Sequence, residues 1–400
     1  MNEKLDIVIF NMSAWTDWEK RGISNRNRHL IEAMIKNTKI GKIICVDFLP
    51  FSFKKVIRVL RDGFLKGIKG RVVWRRLFTS IIEHPDYPEK VYVVSNVSSW
   101  WSQSALTRTL EKFLVKIDIT KPIVWSCNPM SIKTWLDLSS SFKIFDAIDI
   151  WIEHPSYKKY VKRLEKNYQI IKDKSDVIFT VAKNTIDFFG DRKNVYWVAN
   201  GVDLDRFVIE PKLDIPENMK SLPQPIVGYI GTIQDRLDLN LVKFLAQNNP
   251  QVSFACVGGI WPKTKKRIDK EFVGINNVYW LGRVKYQDAP AYIQNFSTLI
   301  IPHLLDRFIK YTDPMKLYLA LACGVPAVST PAPIVDELES VVYLADNYEE
   351  FNQQLQKALS ESKDPLWQKR RRDAVQGYSW DKRFNVMLEK IEENNDNLTE

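Results

Sequence analysis

The chain has 400 residues, 45% of them hydrophobic and 26% charged, a globular balance that excludes a disordered chain. At ~100–200 residues per domain, that length calls for two cores rather than one. Lys and Arg outnumber Asp and Glu by 58 to 48, a formal charge of +10 that points to an anionic partner: a nucleic acid, a phosphate-bearing small molecule or a membrane surface.

Strand-sized β-branched runs alternate with longer amphipathic segments, the pattern of a parallel sheet flanked by helices. In the first half the predicted strands are 6–10, 43–47, 91–94, 122–126, 143–147 and 177–180, with a helix over 25–36. Residues 210–225 carry Pro211, Pro216, Pro223 and Pro225 and read as a linker. Beyond it come strands 226–230, 252–257, 278–281, 299–302 and 327–329, and helices 237–246 and 314–323. The tail over 367–393 reads as one or two helices. The apolar run 7–10 is too short for a signal core. Gly324, Pro326, Pro331 and Pro333 break the uncharged stretch 317–335, so no membrane span is predicted. The cysteines (Cys45, Cys127, Cys256, Cys323) are far apart and form no CxxC, so neither a zinc site nor a disulfide framework is expected. A reduced cytoplasmic compartment is the simpler reading. The fold class expected is α/β, with two Rossmann-like doubly wound domains facing a cleft.

In such sheets ligands bind beyond the carboxyl ends of strands. The loop after the first strand, 11–18, has no glycine, which argues against a dinucleotide cofactor there, and no Walker lysine motif occurs anywhere. Gly231 and Thr232 end a strand and lead into a helix, where a glycine lets the backbone approach an anion. The sharpest segment is 313–326. Asp313 suits an N-cap, Pro314 the first helical position and Gly324 the stop. Lys316, in the first turn, opposes the helix dipole unless an anion such as a diphosphate sits at the helix end.

These segments occur in an order that resembles GT-B glycosyltransferases. Gly231-Thr232 is followed by Val257-Gly258-Gly259, Leu281-Gly282-Arg283, and Pro314-x-Lys316 running to Ala322-x-Gly324-x-Pro326. Asn200-Gly201-Val202-Asp203 to Phe207 is similar to the family's NGVD…F bridge, and Tyr378-Ser379-Trp380 to its C-terminal SW signature. The resemblance covers roughly 145–384 and is strongest to bacterial polysaccharide-assembly enzymes of the teichuronic-acid and xanthan glucuronosyltransferase types.

The resemblance implies an acceptor-binding domain over 1–209, a linker over 210–225, a donor-binding domain over 226–366, and C-terminal helices over 367–400 that cross back to the first domain. It implies a nucleotide-sugar donor, UDP-linked and a substrate rather than a cofactor. Gly231 and Thr232 would meet its phosphates, Arg283 and Val284 its base, and Met315 and Lys316 its diphosphate. The paired Glu residues of many retaining members are replaced here by Tyr311 and Leu319.

An inverting transfer needs a base for the acceptor hydroxyl. Asp149 follows a strand and matches the Asp of the xanthan-type loop, with Glu153 and His154 as alternatives and Asp146 read as a turn or capping residue. Trp15, Arg28 and His29, beside the first strand's loop, are candidate acceptor contacts. Residues 53–78 hold nine Lys or Arg and one acid, interleaved with apolar side chains, and suit an anionic membrane face. The expected activity is therefore metal-independent sugar transfer to a glycan or lipid-linked oligosaccharide hydroxyl in surface polysaccharide synthesis, at the inner face of the membrane. Two alternatives are a sugar-nucleotide epimerase of the same fold and a basic nucleic-acid-binding protein. No nucleic-acid motif favours the latter.

Overall fold

The computed structural model describes residues 4–47, 57, 68–76, 79–96, 103–190 and 192–395. The chain divides into two units, one of Met1–Val198 with Phe384–Glu400 and one of Ala199–Arg383.

Among the described residues the first unit holds nine strands: β1 (Leu5–Phe10), β2 (Ile40–Val46), β3 (Arg71–Arg76), β4 (Thr79–Glu83), β5 (Val91–Asn96), β6 (Ile123–Ser126), β7 (Phe142–Ala147), β8 (Val177–Thr180) and β9 (Val195–Trp197). Their order is β3-β4-β5-β2-β1-β6-β7-β8-β9. From β5 to β9 every pairing is parallel, whereas β3 and β4 join antiparallel. The central strands are apolar on both faces because helices cover both; Ile7, Val8, Ile9 and Phe10 are all buried.

The second unit has six strands: β10 (Ile226–Ile230), β11 (Ser253–Val257), β12 (Val278–Gly282), β13 (Thr298–Ile301), β14 (Ala327–Ser329) and β15 (Val342–Leu344). The order is β12-β11-β10-β13-β14-β15, all parallel. In each unit the order reverses beside the first strand, at β1/β6 and at β10/β13, which creates the crevice where a doubly wound sheet takes its ligand.

Three departures from expectation concern the fold. The first concerns the basic stretch 53–78. Residues 53–56, 58–67, 77 and 78 lie outside the described residues, and 71–76 form edge strand β3 rather than part of a helical face. Its pairing with β4 supplies the backbone partners that its own sequence does not announce. Second, the proline-rich stretch 210–225 lies inside the second unit, and the division falls at Val198/Ala199 instead. The Gln294 amide accepts from the Leu213 N–H at 2.9 Å and donates to the Ile209 carbonyl at 3.1 Å, fastening the stretch to that unit. Third, Asp313 does not cap its helix. That helix runs Met315–Ala322, and Pro314 precedes it with no side-chain cap.

Candidate donor site in the second unit

Three neighbouring strands of the second unit end in glycine. Gly231 follows β10, Gly258 follows β11 and Gly282 closes β12, with φ of +137°, +155° and +77°. Backbone bonds lace them together: the Gly231 N–H donates to the Val257 carbonyl at 2.9 Å, and the Gly258 N–H to the Gly282 carbonyl at 2.7 Å. A Cβ on Gly258 would stand 1.8 Å from the Gly231 carbonyl oxygen, so this position tolerates no side chain. Arg283 lays its guanidinium against Gly259, 2.5 Å from where a Cβ would project. The result is a floor of bare backbone at the β10/β13 switch point, with Gly231 and Arg283 both on it.

Lys316 reaches this floor from the first turn of the Met315–Ala322 helix. Its Nζ lies 3.4 Å from a Cβ built on Gly231, 3.3 Å from the Tyr229 hydroxyl, 3.2 Å from His303 Nε2 and 4.4 Å from the Tyr229 ring centre. His303 comes from the loop after β13, and Arg236, from the loop after β10, stacks on Phe308 at 4.9 Å. Desolvation, followed by the Arg236 charge, lowers the Lys316 pKa from its ordinary 10.5 to about 7. Desolvation, then Lys316 and Arg236, holds His303 well below its usual range, so the imidazole is neutral. A neutral imidazole protonated at Nδ1 accepts from the ammonium at Nε2. Lys316 and Arg236 thus meet beside a neutral His303, where an anion would offset their positive charge.

The remaining predicted donor residues lie on the same edge. Thr232 is exposed, and its carbonyl accepts from the Tyr229 hydroxyl at 3.1 Å. Val284 and Met315 are half-buried. Leu319 is buried in its helix and Tyr311 is half-buried, so neither position offers a carboxylate. The sequence reading missed Tyr229, Arg236 and His303. Position alone signals the last two, since both are polar residues in loops that follow a strand.

Three of the motif segments meet in this unit. The Asp313 carboxylate accepts from the Asn200 N–H at 2.6 Å and from the Tyr318 hydroxyl at 3.0 Å, and the Asn200 amide donates to the Asp313 carbonyl at 2.8 Å. The Val202 N–H donates to the Tyr378 carbonyl at 2.9 Å. Gly201 allows that approach, since its Cβ would lie 2.7 Å from the same oxygen and 3.1 Å from the Trp380 ring. Asp313 therefore acts as a clamp holding the start of the Lys316 helix to the segment around Asn200.

The first unit carries the other predicted residues. Asp149 is half-buried in the loop after β7. The Tyr168 hydroxyl ties that loop, donating to the Asp149 carbonyl at 3.2 Å and accepting from the Trp151 N–H at 3.0 Å. Trp151 stacks on Tyr157 at 4.3 Å, with His154 against the same ring at 5.3 Å. Burial, then the Asp149 charge, pushes the Tyr157 phenol up to about 12. Asp146 is neither a cap nor a turn residue. It lies within β7, fully buried, and pairs with the equally buried Arg26 at 3.0 Å, a partner 120 positions away that local pattern does not reveal.

Trp15, Arg28 and His29 are held mainly by local contacts. The Trp15 indole donates to Glu19 at 2.9 Å, and its N–H donates to the Asp47 carboxylate. Arg28 pairs with Glu32 at 2.9 Å. His29 is buried, 2.6 Å from the Ser24 hydroxyl and 3.4 Å from Glu32.

Residues 224–361 match the family described as Glycosyl transferases group 1. TuaH of Bacillus subtilis, which carries the name of a teichuronic acid biosynthesis glycosyltransferase, is 25% identical over 202 residues. The match spans 49% of this chain and 50% of TuaH, about half the length of each. Among solved structures, Anabaena HepE in complex with UDP-glucose superposes with a TM-score of 0.67 at 12% identity, covering 97% of this chain and 100% of that one. Sucrose-phosphate synthase from Thermosynechococcus elongatus gives 0.68 at 15% identity, covering 98% and 99%. The Escherichia coli trehalose-6-phosphate protein bound with UDP-2-fluoro glucose gives 0.68 at 9%, covering 96% and 98%. The chain thus has the two-domain GT-B fold of these structures, and its residues 224–361 are the part that matches the group 1 glycosyltransferase family.

Proposed function

We propose that the chain transfers a sugar from a UDP-linked donor to a hydroxyl of a glycan or lipid-linked oligosaccharide in bacterial surface polysaccharide synthesis. The observation that carries this reading is the convergence of Lys316, Arg236 and His303 on a glycine floor at the β10/β13 switch point. A diphosphate fits that arrangement because its charge restores the proton that burial drives off Lys316. The start of the Lys316 helix adds backbone donors of fixed direction, and such groups stabilise a departing diphosphate with little reorganisation. Arg283 and Val284, beside the same floor, are the candidates for the nucleobase. HepE in complex with UDP-glucose and the E. coli protein bound with UDP-2-fluoro glucose supply the precedent for the donor on this fold.

Asp149 in the first unit is the proposed base for the acceptor hydroxyl, with Trp15, Arg28 and His29 as proposed acceptor-side residues. The exposed side chains of Arg71, Arg75 and Arg76 on β3 support an anionic surface, such as the inner face of the cell membrane, as the place of work. Among the described residues, no helix is long and apolar enough to cross a membrane.

The reading is tested by thermal shift with UDP, GDP and ADP, followed by assay of UDP-sugar hydrolysis and of transfer to lipid-linked acceptors. UDP is expected to stabilise the chain most. Absence of any nucleotide shift would overturn the reading, as would isomerisation of the donor sugar without acceptor, which is the mark of an epimerase.

A further inference from the structure

The second unit contains a cavity of about 510 Å³ at the opposite end of its sheet from the glycine floor. Its walls include Gln224, Ser297 and Val325, which stand one or two residues before the starts of β10, β13 and β14. The glycine floor follows the far ends of the same sheet, one strand length away, about 17 Å for a five-residue strand at ~3.3 Å per residue. The volume falls within the ~300–1,000 Å³ typical of small-molecule sites.

The cavity is held open. Residues 209–215 form a strap across it, fixed by Gln294 at Ile209 and Leu213 and by Asn295, whose amide donates to the Leu213 carbonyl at 3.2 Å. A second anchor is the Arg372–Glu210 ion pair at 2.6 Å. Behind the strap, Phe296 and Val325 give the cavity an apolar wall.

Its charge is unbalanced. Lys212, Lys363 and Arg372 line it against a single acid, Glu210, and Arg372 already occupies that acid. Lys212 and Lys363 stand close enough to repel, and among the described residues neither has a hydrogen-bond or ion-pair partner. The negative end of the Met315–Ala322 helix does not use them either, since Arg371 donates to the Gly324 carbonyl at 3.4 Å. Both lysines are exposed at the cavity wall, and two ammonium groups on one cavity match a dianion, whereas a monocarboxylate would leave one of them unmet.

We propose that this cavity is a second ligand site, separate from the donor site, which takes a small phosphomonoester with an apolar body. Its phosphate sits between Lys212 and Lys363, and its body lies against Phe296 and Val325. The inference does not rest on the donor reading and is tested apart from it.

The test is calorimetric titration of the full chain with phenyl phosphate, inorganic phosphate and phenol at low ionic strength, with and without saturating UDP. Phenyl phosphate is expected to bind more tightly than inorganic phosphate and phenol not at all, with UDP making no difference. Lys212→Ala/Lys363→Ala should weaken phenyl phosphate by ~tenfold or more while leaving UDP binding intact, which reports that the variant is folded. Lys316→Met should leave phenyl phosphate binding unchanged. Displacement by UDP, indifference to the double substitution, or no binding at millimolar concentration would overturn the proposal. Failure of UDP to bind would count against the donor reading alone, since the phenyl phosphate and Lys316→Met measurements remain readable without it.

Discussion

The Nζ of Lys316 lies 3.2 Å from Nε2 of His303, two basic groups in hydrogen-bond contact beside Gly231. The pair persists because burial drives both toward their neutral forms, with Lys316 lowered to about 7 and His303 well below its usual range. From about pH 7 upward the unfolded chain holds a proton at Lys316 that the folded chain has released, so this group makes stability rise with pH. Lys316→Met should flatten the rise in thermal midpoint over that window. A slope identical to the wild type would remove Lys316 as its source.

UDP should show the opposite dependence. A diphosphate favours the charged ammonium, so binding above pH 7 takes up a proton, and affinity falls by up to ~tenfold per pH unit. Calorimetry in buffers of different ionisation enthalpy measures that uptake. In Lys316→Met, UDP should bind ~10–100-fold more weakly, the loss of one charge-assisted hydrogen bond, with no linked proton.

Gly258→Ala should disable the donor site while Gly274→Ala is tolerated. Both glycines have positive φ, +155° and +80°. A methyl on Gly258 meets the Gly231 carbonyl oxygen at 1.8 Å, whereas one on Gly274 meets nothing within 4 Å. Gly274→Ala is expected to cost only the backbone penalty of about 1–2 kcal/mol. Gly258→Ala should abolish UDP binding and lower the thermal midpoint further. Equal midpoints in the two variants would contradict the close approach.

The Arg26–Asp146 pair in the first unit gives a stability test independent of catalysis. Both side chains are fully inaccessible. Arg26→Met leaves a carboxylate stranded in the core and should cost ~3–5 kcal/mol, whereas Arg26→Met/Asp146→Leu should recover most of it. Denaturant melts of the two variants measure the difference. A double variant no more stable than the single one would mean that the charges are worth more than their desolvation.

Asp149→Asn should reduce turnover by ~10²–10⁴-fold and leave UDP affinity unchanged, as expected for a base that touches only the acceptor. EDTA should leave turnover intact if Lys316, Arg236 and backbone donors meet the diphosphate charge. Unchanged turnover in Asp149→Asn would pass the role to another group, with His154, packed on Tyr157, the next to test. Loss of turnover with EDTA would require a metal ion.

Most parallel strands are legible from their β-branched runs, because burial on both faces makes them continuous apolar segments. β3 is not, since its Arg-rich edge reads as a charged surface until β4 supplies its partner. β9 and β15, three residues each, are too short to show a period. At the donor edge, glycines at strand ends and a lysine in a first turn point to an anion. Arg236 and His303 escape notice because only the fold brings their loops together. The true work of Asp313 was hidden for the same reason, as its partner Asn200 stands 113 positions away. Burial of His29 depends on Ser24 and Glu32 closing around it, which spacing alone does not forecast.

A floor made of Gly231, Gly258 and Gly282 presents bare backbone and no side chains. Bare backbone admits a phosphate group alike, whatever base or sugar that group carries. Donor choice must therefore be decided at the margins, by groups such as Arg283 that lean over the floor. Those margins can be rebuilt by substitution without disturbing the seat beneath them. Exchanging side chains there is the economical route to a variant that accepts a different nucleotide.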